Sequence, residues 1–280
     1  MKMVSEITKC NNVIHKSFKK CEFCGQKLKP IGLDFLYDNI SPDDIEYERC
    51  DCDKAREFWD EKDLEQNKIE KQTRYREIIK ELYQQSYIGK RFQENNFENF
   101  KTNSSNKNAV EMIKDYTNKC INNALNKGII ITGESGVGKT HLASSVANKL
   151  IENDKIVLIG RLSQLLDIIK ETFKNSEKSE NELIELYSNV DMLIIDDLGT
   201  EKISNWALDK LYTIIENRNE NRLPIIITTR FDKDELIERF KLAEDKALSD
   251  AVISKLYQMC YGITLKNKKE KDSTSDQTKC

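Results

Sequence analysis

The rhythm of hydrophobic and polar positions changes twice along the 280 residues. Through residue 52, apolar residues stand singly between cysteines and turn formers, with little that could build a conventional core. Residues 53–88 contain no glycine or proline and are densely charged, which predicts one long helix or two. Their apolar positions, among them Phe58, Leu64, Ile69, Ile78, Ile79 and Leu82, are too sparse for a sustained heptad, so a solvated connector packing on one side is expected rather than a coiled coil. From residue 89, short apolar runs alternate with segments of helical period. Runs at 129–132, 156–159, 192–196, 225–229 and 263–265 read as strands, and 205–218 and 233–241 as helices. Isoleucine-rich runs without alternation suit strands buried on both faces, so the pattern predicts an α/β fold with a parallel sheet sandwiched by helices.

Composition adds limits. An apolar fraction of 38% allows one sizeable core plus a smaller appendage. A net charge of −3 gives no global basic field, so contact with nucleic acid must be local, at the lysines and arginines of 161–178 or at Lys266, Lys268, Lys269 and Lys271. Such contact should be weak and salt-sensitive. No run approaches the roughly 18 apolar residues of a membrane span, and the first nine residues lack an apolar signal core. A cytoplasmic protein with no membrane partner is expected, and its eight cysteines should then be metal ligands or isolated thiols.

Between the 129–132 run and a helix-compatible stretch lies Gly133-Glu134-Ser135-Gly136-Val137-Gly138-Lys139-Thr140. This G-x-x-x-x-G-K-T pattern is a P-loop: glycines let backbone N–H groups cradle phosphates, Lys139 reaches the β- and γ-phosphates of ATP, and the Thr140 hydroxyl holds Mg²⁺. The run Met192-Leu193-Ile194-Ile195 ends in Asp196 and Asp197, a Walker B element. Asp196 is expected to hold the Mg²⁺ shell opposite Thr140, and Asp197 to polarise a water for attack on the γ-phosphate. The extra run at 156–159 and the later one ending Thr228-Thr229-Arg230 suggest the additional-strand class of P-loop ATPases, with Thr229 or Arg230 as the polar sensor between the Walker strands. His141, beside Thr140 at the nucleotide site, reads as a helix packing residue and not a catalyst.

In the amino-terminal segment, Cys21-Glu22-Phe23-Cys24-Gly25 is a C-x-x-C knuckle, and Cys50-Asp51-Cys52 supplies a second pair. Four thiolates in two pairs suit tetrahedral Zn²⁺, whose binding would supply the folding energy that so short a segment lacks. An iron–sulfur site remains the alternative metal reading, and Cys10 or His15 could replace one ligand. Cys120, Cys260 and Cys280 have no paired spacing.

Several stretches together resemble the helicase-loader ATPases of the DnaC/DnaI type and the related IstB transposition ATPases. They are Gly138-Lys139-Thr140-His141-Leu142-Ala143, Ile195-Asp196-Asp197-Leu198-Gly199-Thr200-Glu201-Lys202 followed by Trp206, Ile215-Glu216-Asn217-Arg218, and Leu223-Pro224-Ile225-Ile226-Ile227-Thr228-Thr229. Arg91-Phe92 with Phe97 and Phe100, and Ile253-Ser254-Lys255-Leu256, extend the likeness over about residues 87–265. The resemblance implies an AAA+ fold of the initiator clade that self-associates side by side and uses ATP to control its grip on single-stranded DNA and a replicative hexameric helicase. It also implies a helix over 162–173 that faces DNA, a shortened lid, and an amino-terminal metal module that docks on the helicase.

The chain departs from the family where Arg230 replaces the usual sensor asparagine, Asp197 replaces glutamate, and Ala251 and Lys255 replace two arginines. Lys255 keeps the charge, and by resemblance the nucleotide contact, without the planar fork. Arg218, Arg222 and Arg239 are candidates for the arginine acting in trans. These departures imply slow or partner-dependent ATP turnover.

The expected organisation is a zinc-binding docking module at 1–52, a helical connector at 53–88, an AAA+ ATPase domain at 89–265 and a disordered tail at 266–280. The expected function is a helicase loader acting in DNA replication. The rivals are an IstB-like transposition ATPase, a poorly hydrolysing zinc-bearing adaptor and a small-molecule kinase.

Overall fold

The computed structural model describes residues 19–31, 45–85, 93–171, 179–240 and 245–266. Cys10, His15, Arg91, Phe92, Cys280, the tail beyond Lys266 and the ends of the expected helices at 172–173 and 241 lie outside the described residues. The chain divides into two compact units, residues 1–72 and 73–280.

Within the described part of the first unit, two short antiparallel bridges, Lys20 with Lys27 and Pro30 with Tyr47, lead into helix α1 (Asp53–Gln85). The charged 53–85 stretch forms this one helix. Its middle is open to solvent, with Leu64 73% exposed, whereas Ala55 and then Tyr75, Ile78, Ile79 and Leu82 are buried. Within the second unit the last four belong to the main apolar core, which accounts for the sparse apolar spacing.

The second unit is built on five parallel strands: β1 (Gly128–Thr132), β2 (Val157–Arg161), β3 (Met192–Asp196), β4 (Ile225–Thr229) and β5 (Cys260–Thr264). They lie in the order β2-β3-β4-β1-β5, so β4 separates the two strands that carry the Walker motifs, as the additional-strand reading requires. Alternate residues point to opposite faces. Ile129 and Ile131 pack with Ile194, Ile226 and helices α2 (Lys107–Ile121) and α3 (Lys139–Ile151). Ile130, Ile195 and Ile227 pack on the other face with α4 (Leu162–Glu171), α5 (Glu180–Asn189), α6 (Asn205–Glu220), α7 (Lys233–Phe240) and α8 (Lys246–Met259). This two-sided burial confirms the predicted sandwich.

Strand β5 corrects the expected bounds of 263–265. It is an edge strand whose partner is β1. Of its residues only Ile263 is buried, and Tyr261 is 52% exposed, so an apolar run could not mark its start.

Candidate functional site

The carboxyl ends of β1, β3 and β4 converge, the place where open parallel sheets bind ligands. β1 runs into the P-loop, and α3 begins at Lys139 with Gly138 as its N-cap. Gly138 has φ +97°, and a Cβ there would stand 2.5 Å from the Phe100 ring, so both backbone and space require glycine. Phe100 is seated edge-on to the His141 ring, with centroids 5.2 Å apart. The Nε2 of His141 lies 2.7 Å from Asn99 Oδ1 and 3.0 Å from the carbonyl of Asn96. His141 and Phe100 thereby fasten the 96–100 turn against the P-loop.

Lys139 is 8% exposed and donates to the carbonyls of Gly133 and Glu134 at 2.7 and 2.8 Å. Burial lowers its pKa, the nearby Arg230 charge adds to the fall, and Asp197 and Asp196 oppose it. Across the cleft, the Thr140 hydroxyl donates to both oxygens of Asp196, at 2.8 and 3.1 Å. Asp196 is 2% exposed at the end of β3, so its carboxylate depends on these donors. A hydroxyl and a desolvated carboxylate facing one another are an oxygen-donor set suited to Mg²⁺.

Asp197 follows in the left-handed region, φ +57°, and its carboxylate pairs with the Arg230 guanidinium at 3.3 Å. Both side chains are partly exposed. Thr229 uses its hydroxyl on the backbone, donating to the carbonyl of Leu198 at 2.7 Å and accepting from the amide of Phe231 at 3.2 Å. Lys255 is engaged elsewhere, with its ammonium 2.8 Å from Glu216 on α6, a contact that raises its pKa.

Of the candidate trans arginines, Arg218 is fully buried. Its guanidinium donates to the carbonyls of Tyr187, Val190 and Pro224, and burial lowers its pKa to about 9. It ties α6 to the ends of α5 and β4 and cannot reach another subunit. Arg239 lies 3.9 Å over the Phe231 ring and donates to the carbonyl of Gly199. Arg222 is exposed.

The residue that the sequence reading missed is Thr228. Its hydroxyl donates to Asp196 Oδ1 at 2.7 Å and accepts from the Asp197 amide at 2.8 Å. The available signal was the alternation of a strand: Thr228 and Thr229 must face opposite sides, and only one can meet Asp196. Glu201, in the stretch that follows the Walker acids, also has a defined partner. Its carboxylate receives the amide and hydroxyl of Ser163 at 2.9 and 2.5 Å, capping the start of α4.

In the first unit, the sulfurs of Cys21, Cys24, Cys50 and Cys52 all lie within 4.8 Å of one another. Cys24 and Cys50 are 3.5 Å apart, and Cys21 and Cys52 are 3.9 Å apart. Four thiolates at about 2.3 Å from a tetrahedral ion would stand about 3.8 Å apart, so the donor set fits zinc. Gly25, at φ +73°, closes the knuckle by donating its amide to the carbonyl of Cys21 at 2.9 Å. A backbone hydrogen bond from Cys24 leads the effects that lower the Cys21 pKa to about 7. Beside the cluster runs a groove of about 680 Å³ whose lining includes Phe23, Ile31, Phe58 and Trp59. Arg49 lies 4.6 Å over the Trp59 ring and is held there by Asp63.

A family model described as IstB-like ATP binding protein matches residues 58–278. The replicative helicase loader DnaC of Escherichia coli (strain K12) is 30% identical over 141 residues, half of this chain and 57% of that protein. The replicative helicase loader DnaI of Bacillus subtilis (strain 168) is 22% identical over 242 residues, covering 86% of this chain and 67% of its own length. Among solved structures, a crystal structure of the DnaC helicase loader superposes with a TM-score of 0.51 at 27% identity, over 63% of this chain and 99% of that one. The resemblance drawn from the motifs is thus borne out. Among the described residues, no helix is long and apolar enough to cross a membrane.

Proposed function

The chain belongs to the IstB-like ATP-binding protein family, and from that premise we propose that it is an ATP-hydrolysing loader that delivers a replicative hexameric helicase to single-stranded DNA. The observation that carries the nucleotide half is the Thr140–Asp196 contact beneath the P-loop lysine, which joins the two Walker motifs through a buried carboxylate. Thr140 and Asp196 would hold Mg²⁺, which when bound neutralises charge on the β- and γ-phosphates. Lys139 would exchange its two loop carbonyls for phosphate oxygens. Asp197 would orient the attacking water and accept its proton. For that it must leave Arg230, and this supports slow or partner-stimulated turnover.

The helicase half of the reading rests on the named relatives and on the cysteine cluster of the first unit. Cys21, Cys24, Cys50 and Cys52 would hold zinc, and the groove beside them, where Phe23, Phe58 and Trp59 stand among charged side chains such as Lys20, Glu48 and Lys62, would dock the helicase. Single-stranded DNA would be bound weakly and in an ATP-dependent way, and self-association would run through the ATPase domain of 89–265. The family model's own name keeps an IstB-like transposition ATPase as the second reading, and the Arg230–Asp197 pair keeps a poorly hydrolysing adaptor.

Light scattering on the full chain mixed with the hexameric helicase of its own cell tests the proposal, with ATP, with ADP and with Lys139→Ala. A co-complex that depends on residues 1–52 and changes with nucleotide is expected. Absence of a complex in every state would shift the reading to transposition. Phosphate release measured in parallel separates ATPase from adaptor, and Lys139→Ala should lower it on the order of 100-fold. A phosphorylated metabolite instead of free phosphate would indicate a kinase.

A further inference from the structure

The sequence points to Asp196 and Asp197 as the acids of the site, but their orientation comes from a side chain on a different strand. Thr228 is fully buried near the end of β4, in register with Ile131 of the strand that leads into the P-loop. Its side chain and backbone reach three consecutive residues. The hydroxyl donates to Asp196 Oδ1 at 2.7 Å, the Thr228 hydroxyl oxygen itself accepts the Asp197 amide at 2.8 Å, and the Thr228 carbonyl accepts the Leu198 amide at 2.8 Å.

The direction of this chain is fixed by chemistry. The amide of Asp197 can only donate, so the single hydroxyl proton of Thr228 is left for the carboxylate. One lone pair of Asp196 is thereby taken by Thr228, and the carboxylate cannot turn away from the Thr140 hydroxyl. The same bond fastens the amide at the point where the backbone turns left-handed, φ +57°, and that turn aims the Asp197 side chain.

We propose that Thr228 is a positioning residue for magnesium, setting the metal affinity of the Thr140–Asp196 pair and the aim of Asp197 without touching nucleotide. The proposal rests on the ATPase reading above. Outer partners of metal-binding carboxylates govern affinity by orienting them, and their loss costs about 10–100-fold in metal affinity.

The test uses the full-length chain with Thr228→Val, which preserves shape and removes both hydrogen bonds, and Thr228→Ser, which restores the hydroxyl. Binding of a fluorescent ATP analogue is measured in EDTA and across a Mg²⁺ titration. The wild type first shows whether nucleotide is bound and tightened by Mg²⁺; if it is not, the ATPase reading falls, and this proposal with it. Given that tightening, Thr228→Val should bind nucleotide in EDTA within about twofold of wild type and need about tenfold more Mg²⁺ for half-maximal tightening. Thr228→Ser should stay within about twofold of wild type in both. An unchanged Mg²⁺ requirement in Thr228→Val would overturn the proposal while leaving the ATPase reading standing. So would equal losses with and without metal, which is the signature of general loosening. Should the valine chain fail to fold, Thr228→Ala against Thr228→Ser carries the same comparison, and the same two outcomes would overturn the proposal.

Discussion

The two units of this chain are held together by different physics. In the second, a five-stranded sheet is buried on both faces, and residues such as Ile131, Ile194, Leu211 and Ile226 are fully buried. In the first, the buried cluster among the described residues is Cys21, Cys50 and Ala55, with Leu28, Cys52 and Trp59 packed against it. Taken alone, a cluster of that size does not offset the conformational entropy of the described residues around it. Four convergent thiols can do so if a metal joins them, because metal binding is then folding energy. The contrast says where to test stability: apolar area in the ATPase unit, and metal binding by the four thiols in the cysteine unit.

Chelation should break that contrast most strongly. Structural zinc supplies roughly 10–16 kcal/mol in small zinc modules, far more than the first unit's apolar cluster. A strong chelator is expected to abolish protection from proteolysis within 1–72 while nucleotide binding by residues 73–280 is retained. Cys52→Ser should do the same without chelator, since serine can still open helix α1 but is a poor zinc ligand. Limited proteolysis and metal analysis of the purified chain check both. In the second unit the corresponding lesion is a cavity. Leu211 is fully buried on α6, and Leu211→Ala should cost about 2–5 kcal/mol in thermal unfolding, leaving the metal content unchanged.

The same contrast governs what could be read in advance. The sheet was legible because strands buried on both faces must be apolar along most of their length, and four of the five runs open with at least three consecutive apolar residues. Strand β5 lost its first residues to the reading because Cys260, Tyr261 and Gly262 are not buried, in contrast to the run of β2 at the opposite edge. The P-loop and Walker acids are local in sequence, and the structure brings Lys139, Thr140, Asp196, Asp197 and Arg230 together. Thr228 escaped because its partners lie on a neighbouring strand and nothing local separates it from Thr229. Arg218 looked like an available cation, but three backbone carbonyls consume it inside the core. Charge is visible in a sequence; the partner that satisfies it is not. The cysteine pairs were legible as pairs, and the distances that bring all four within reach of one ion come from the fold.

A finer comparison lies in how each unit starts a helix. In the second unit, α6 opens on Ser204, whose extended backbone, φ −84° and ψ 160°, lets its hydroxyl accept the Ala207 amide at 3.2 Å. In the first unit, α1 opens directly after Cys52, whose carbonyl accepts the Arg56 amide at 2.9 Å and whose sulfur belongs to the cysteine cluster. Replacing Ser204 with alanine removes one acceptor at the start of α6 and leaves the sheet untouched, so the cost should be about 1 kcal/mol. For a unit of this size that is a fall of about 2–4 °C in melting temperature. Calorimetry with zinc present should place the whole shift in the transition of residues 73–280. A shift in the chelator-sensitive transition would mean that the two units unfold together and that the separation drawn from their cores is wrong.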